Sequence, residues 1–217
     1  MRALIYVPIV HSEVDLGSMG GEVRRRFQEA FGNEEWERKY ASVEAMWAGL
    51  RTKLFALPLE WRRTRLYQDG LPVCGRETEI VRDLAAGGSR NYQLLAELME
   101  RGATLMGTED PELMVAEYRR IQSLVRTAQQ REPDAAAEEL KREGEEILRG
   151  RDAFIARRIE TTLEEGETGI LFLGLLHRVD ALLDGKFDVR QLIHSLPFGA
   201  DPWRRLKERG DERTEKD

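Results

Sequence analysis

The 217-residue chain carries 34 Lys and Arg against 40 Asp and Glu, a formal net charge of -6, with 41% hydrophobic and 7% aromatic residues. That composition excludes a disordered or fibrous chain, and the acidic balance argues against a broad nucleic-acid-binding surface, which needs a basic excess. No stretch approaches the ~20 apolar residues of a membrane span, and the lone Cys74, expected to be buried or half-buried, supports neither an internal disulfide nor a thiolate metal cage.

The N-terminal run "ALIYVPIV" ends at His11, too short for a secretory signal with its cleavage site. With the single cysteine, this places the expected protein in the cytoplasm. The same run is rich in β-branched and aromatic residues and predicts a first buried strand, with Pro8 tolerated near its end. A glycine-bearing loop, Gly17 to Gly21, leads into a helix that carries Arg24 to Arg26.

From Glu34 to about Ala56 the residues Trp36, Tyr40, Val43, Trp47, Leu50 and Leu54 recur at steps of three and four and predict one apolar helical face. Arg65 to Gln68 reads as a short strand closed by the turn former Asp69-Gly70. Helices are predicted over Glu77 to Ala86 and Asn91 to Arg101, then a short strand over Ala103 to Met106 that closes on Glu109 and Asp110. Asp110 is placed to cap the next helix, with Pro111 at its first position.

Two long charged helices follow, Glu112 to Arg131 and Asp134 to about Glu165, interrupted at Pro133. The seven uncharged residues Ile170 to Leu176 predict a strand buried on both faces, delivering His177 at its end, before a short helix from Arg178 to Leu183. Residues 201–217 form a charged tail, with Trp203 and Leu206 placed to pin its start. The expectation is a single α/β domain over residues 1–200, with a helical middle section and a mainly parallel sheet of four short strands with a large helical share.

Parallel strands joined by right-handed crossovers present their carboxyl ends at one sheet edge, where ligands bind. His11, Asp69, Glu109 and His177 each follow a predicted strand and are expected on that rim. Asp69 is also a ready turn former, Asp110 a helix cap, and His194, before a proline, has no assigned role. On the helix after Asp134, Arg151 and Arg158 fall within the apolar stripe of Leu140, Ile147, Leu148, Phe154, Ile155 and Ile159. A buried arginine needs an anionic partner, so Arg151 is expected to reach a rim carboxylate, with Arg158 more exposed.

The histidine ending the first strand, the "RDAFIARRIE" helix segment and the "GILFLGLLHRVDALL" segment with its Gly-x-x-His together resemble the TraB/PrgY-like group and its relatives. Those relatives are the Tiki proteins, the ChaN-like haem-binding proteins and the erythromycin esterases. The resemblance implies a shared pattern of an early histidine, an acidic residue, an Arg-Asp pair and a late Gly-x-x-His. His11, Arg151 with Asp152, Gly174 and His177 occupy the matching places. The family's first-strand Gly-x-x-His is here Pro8-Ile9-Val10-His11, and its acidic strand end falls on Asp69 or on Glu109.

The residues allow two chemistries of one reaction class, hydrolysis. His11, His177 and Glu109 form a candidate ligand set for a divalent metal such as Zn or Mn that would activate water. Without metal, His11, Asp69, Glu109 and His177 supply acid and base, and Arg151 holds an oxyanion or carboxylate. The expected partners are a small-molecule or peptide substrate and, as a further option, a second copy of the chain in a homo-oligomer. The alternatives are a non-catalytic phosphate-binding module at Gly17 to Gly21, or a partner-binding protein using the Trp36 to Leu54 face.

Overall fold

The computed structural model describes residues 2–130, 134–183 and 185–194. Pro133, Trp203, Leu206 and the 201–217 tail lie outside the described residues. The chain divides into two compact units, one made of Met1–Ile9 and Pro58–Leu192, the other of Val10–Leu57 and Ile193–Asp217.

The first unit is built on strands β1 (Ala3–Ile9), β2 (Thr64–Gln68), β3 (Thr104–Met106), β4 (Thr168–Gly174) and β5 (Asp188–Gln191). They form one all-parallel sheet in the order β3-β2-β4-β1-β5. Between them run α3 (Glu77–Ala86), α4 (Arg90–Glu100), α5 (Pro111–Gln130), α6 (Asp134–Thr162) and α7 (Val179–Leu183). The α/β class and the mainly parallel sheet are therefore as the sequence implies.

Two strand readings need correction. A fifth strand, β5, pairs with β1 from Ala3 to Tyr6; its residues Asp-Val-Arg-Gln are half-buried or exposed, so no apolar run announces it. The run Ile170 to Leu176 does not remain a strand to its end. β4 stops at Gly174, and Leu176 is 75% exposed in the turn that follows. Pro8 falls where β1 has already run past β5, so its missing N–H removes no bond on that side.

The central strands are buried on both faces, as apolar strands under crossover helices must be. One face carries Leu4, Tyr6, Tyr67, Leu171 and Leu173 against Ile155, Ala156 and Ile159 of α6 and Val179 and Leu183 of α7. Right-handed crossovers place α3 and α4 on the opposite face. The close fit is visible at Gly169, where an added Cβ would lie 2.7 Å from the Leu4 Cδ1.

Strand order also locates a crevice. The crossover leaving β2 leads outward to β3, whereas the connection leaving β4 leads the other way, past β1, to β5. Since β2 and β4 are neighbours, the chain parts at their carboxyl ends. That is the switch point at which open α/β sheets bind ligands.

The second unit contains α1 (Gly20–Phe31) and α2 (Asn33–Phe55). The expected α2 face is present, with Trp36, Val43, Met46, Trp47, Leu50 and Leu54 all buried. Tyr40 is the exception at 43% exposure, and Met46 joins the face instead. Because the stripe is buried within the chain, its apolar surface is already used in packing.

Candidate functional site

The site is assembled from three strand ends and one helix. Directly after β2, the Asp69 N–H donates to the Phe172 carbonyl and continues the ladder with β4. Gly70 then takes a positive φ of 77°, turning the chain, and Leu71 N–H donates back to the Gln68 carbonyl. Asp69 is thus a turn residue through its backbone and a site residue through its side chain. After β3, Thr108 and Glu109 N–H both donate to the Leu71 carbonyl, and Val73 N–H to that of Glu109, which fixes Glu109 beside the β2 turn.

Gly174 and His177 close β4 with a tight turn, in which the His177 N–H donates to the Gly174 carbonyl at 3.2 Å. The Gly174 N–H in turn donates to Asp69 Oδ2 at 2.9 Å. The Gly-x-x-His spacing is therefore the i to i+3 spacing of a turn whose first residue holds the neighbouring strand's carboxylate.

Arg151 reaches the same place from α6. Its Nε donates to Glu109 Oε2 at 3.1 Å, and its Nη2 to Glu109 Oε1 at 2.6 Å and to Asp69 Oδ1 at 2.9 Å. Glu109 is wholly buried and Asp69 is 5% exposed, so the guanidinium answers two desolvated carboxylates. The expected pairing is present. Arg158, expected to be the more exposed arginine, is itself half-buried, its Nε bonded to the Gly107 carbonyl at 3.1 Å.

His177 is 4% exposed. Its Nδ1 lies 2.5 Å from Asp152 Oδ1, and its Nε2 3.6 Å from Asp69 Oδ1. The other Asp152 oxygen accepts the Arg178 N–H at 3.0 Å. Asp152 thus orients the imidazole from below, a role that the sequence reading, which carried this residue only beside Arg151, had missed. Its adjacency to Arg151 was the available signal, since consecutive helical positions can reach two different strand ends.

The charges here are strongly perturbed. For His177, burial opposes protonation, but the hydrogen bond to Asp152 and the nearby negative charge of Asp69 outweigh it, and the pKa is pushed up to about 9 despite Arg151. Burial also pushes the Glu109 carboxyl above its ordinary value, against the pull of Arg151. The Arg151 guanidinium is held charged: burial works against it, and the bonds and charge of Glu109, with Asp69, prevail.

A pH dependence follows with a definite sign. A histidine whose pKa rises on folding stabilises the fold fully below its unfolded value of about 6.5, and the contribution is lost as pH climbs through about 9. Glu109 acts in the same direction from a lower starting pH. In protein treated with a chelator, unfolding free energy is expected to fall by on the order of 2 to 4 kcal/mol between pH 6.5 and 9.5. Denaturant titrations across that window check it, and a flat profile would contradict a protonated His177.

Asp69, Glu109 and His177 each offer a ligand atom, and these lie within 4.8 Å of one another, so this buried group could hold a metal ion. Of the expected ligands, Glu109 and His177 come together, joined by Asp69. His11 belongs to the second unit, in the coil after β1; the strands that precede it and His177 are neighbours, with Ile9 opposite Gly174.

The remaining expectations fall away from this group. Cys74 is exposed rather than buried, because it stands in the loop between β2 and α3, where its N–H donates to Glu77. His194 packs its ring over Gly49, where an added Cβ would lie 2.0 Å from its Nε2. In α1, after the glycine loop, Arg25 pairs with Glu22 and Glu29 and Arg26 with Glu22, the pattern of a solvated helix face. Among the described residues, no helix is long and apolar enough to cross a membrane. Comparison of the chain with protein-family models, with curated proteins and with solved structures finds no match.

Proposed function

We propose that the chain is a hydrolase whose active centre is Asp69, Glu109, Arg151, Asp152 and His177. The observation that carries this reading is the convergence of three buried carboxylates, a guanidinium and an imidazole at the switch point of the sheet. Burying charge is costly, and a fold can obtain the same packing with apolar residues at no loss of stability. Such a group is best explained by chemistry.

In this reading His177, kept protonated by Asp152 and Asp69, donates a proton to the leaving group. Glu109, whose affinity for a proton burial raises, accepts the proton of the attacking water. Arg151 supplies positive charge where oxygen becomes negative, the largest single contribution in many acyl transfers. A small-molecule or peptide substrate suits a site of this kind, and a cytoplasmic setting suits the lone cysteine.

The metal-assisted form of the same reading rests on the ligand geometry. One imidazole and two carboxylates suit Zn or Mn, and Asp152 on Nδ1 leaves Nε2 as the ligand atom, the usual outer-shell arrangement of metal-binding histidines. Bound there, a divalent ion would acidify a water. Arg151 competes with it, since the guanidinium already occupies both Glu109 oxygens.

The test measures metal content of the purified chain and turnover of an ester and peptide panel, with and without chelator and added Zn or Mn. Turnover that survives chelation supports the acid-base form, and turnover restored only by metal supports the metal form. Absence of turnover in every arm would end the hydrolase reading.

A further inference from the structure

We propose that Tyr6 is an additional binding residue of this site, its phenol O–H donating to a neutral acceptor oxygen of the bound molecule. Tyr6 stands opposite Leu171 in the β1 to β4 register. Its side chain shares the apolar cluster beneath α6 and α7, with Ile155, Val179 and Leu183. It is 1% exposed, yet its hydroxyl has no hydrogen-bond partner among the described residues.

An oxygen in that position is not explained by packing. A buried hydroxyl without a partner costs about 1 to 3 kcal/mol, and phenylalanine would fill nearly the same volume at no such cost. The hydroxyl is also tied to the site electrostatically. Burial raises its pKa, the negative charges of Asp180, Asp152 and Asp69 raise it further, and Arg178 opposes them. The phenol therefore stays protonated and is a donor.

Two of these carboxylates, Asp152 and Asp69, already have partners. Asp152 accepts from His177 and the Arg178 N–H, and Asp69 from Arg151 and the Gly174 N–H. What the phenol lacks is an acceptor, and the field of these carboxylates disfavours an anionic one. A carbonyl or hydroxyl oxygen fits, in an amide or ester group. That last step rests on the hydrolase reading, whereas the need for a neutral acceptor does not.

The experiment uses the full chain as wild type, Tyr6→Phe and His177→Ala. Without ligand, Tyr6→Phe is expected to melt at the wild-type temperature or above it, because no bond is lost; a fall of several degrees would reveal a structural partner and overturn the proposal. On p-nitrophenyl acetate and N-acetylated dipeptides, Tyr6→Phe is expected to lose about tenfold in kcat/KM, the scale of one hydrogen bond, and equal turnover would overturn it. If neither wild type nor His177→Ala turns over any substrate, the hydrolase reading fails separately. Tyr6 is then decided by the ζ-carbon NMR signal of labelled tyrosine, assigned by its absence in Tyr6→Phe. Acetamide as probe should shift that signal saturably, and an unmoved signal would mean that the phenol meets at most water.

Discussion

Replacing Arg151 by alanine is expected to destabilise the protein by about 3 to 5 kcal/mol, because it strands two buried carboxylates. The Glu109 carboxylate is wholly buried and takes both its side-chain bonds to a guanidinium from Arg151, while Asp69 loses one of its partners. In a chain of this size the loss corresponds to a melting shift on the order of 10 °C. Arg151→Lys is expected to recover only part of it, since an ammonium cannot span both carboxylates in the plane that the guanidinium uses. Adding Glu109→Gln to Arg151→Ala should restore stability further by removing one of the stranded charges. A single-variant loss below about 1 kcal/mol would place the pair in the class of solvated surface bridges and remove the guanidinium from the site's foundation.

His177→Ala is expected to lower turnover at least about a hundredfold, the contribution of a positioned acid or base. It also has a stability signature that a bystander histidine would lack. The imidazole is bonded to Asp152 at 2.5 Å and protonated, so its removal costs most below pH 6.5, and the gap between variant and wild type narrows as pH rises toward 9. Melting curves at several pH values read that convergence. Loss of turnover with a pH-independent stability gap would keep His177 catalytic but contradict its charge; full turnover with a converging gap would make it a structural ion-pair partner only.

These effects concentrate on few residues because the acidic chain has little positive charge in its interior. Several ion pairs among the described residues are instead exposed and local, such as Arg25 with Glu22 and Glu29 within α1. At the switch point the partners come from positions 69, 109, 151, 152 and 177, and each substitution leaves a buried partner behind.

The sequence by itself determined the elements whose signals are local. An uncharged run long enough for a buried strand announced β1 and β4, and three- and four-residue spacing announced α2. Asp110 before Pro111 marked the start of α5, where Asp110 Oδ1 accepts the Glu112 N–H at 2.8 Å. The sequence also brought Asp69, Glu109, Arg151 and His177 forward as site residues, since strand-end polar groups and an arginine on an apolar stripe demand partners. Only the tertiary structure decided which partner each one finds. Helical periodicity says that Arg151 faces inward but not that it meets Glu109 while its neighbour Asp152 meets His177, because that depends on the order β3-β2-β4-β1-β5. The turn that gives Gly174-x-x-His177 its spacing, the half-exposed β5 and the Tyr6 hydroxyl without a partner among the described residues are invisible locally for the same reason. Each is defined by contacts between residues distant in the chain, and their energies depend on a burial that no single segment can produce.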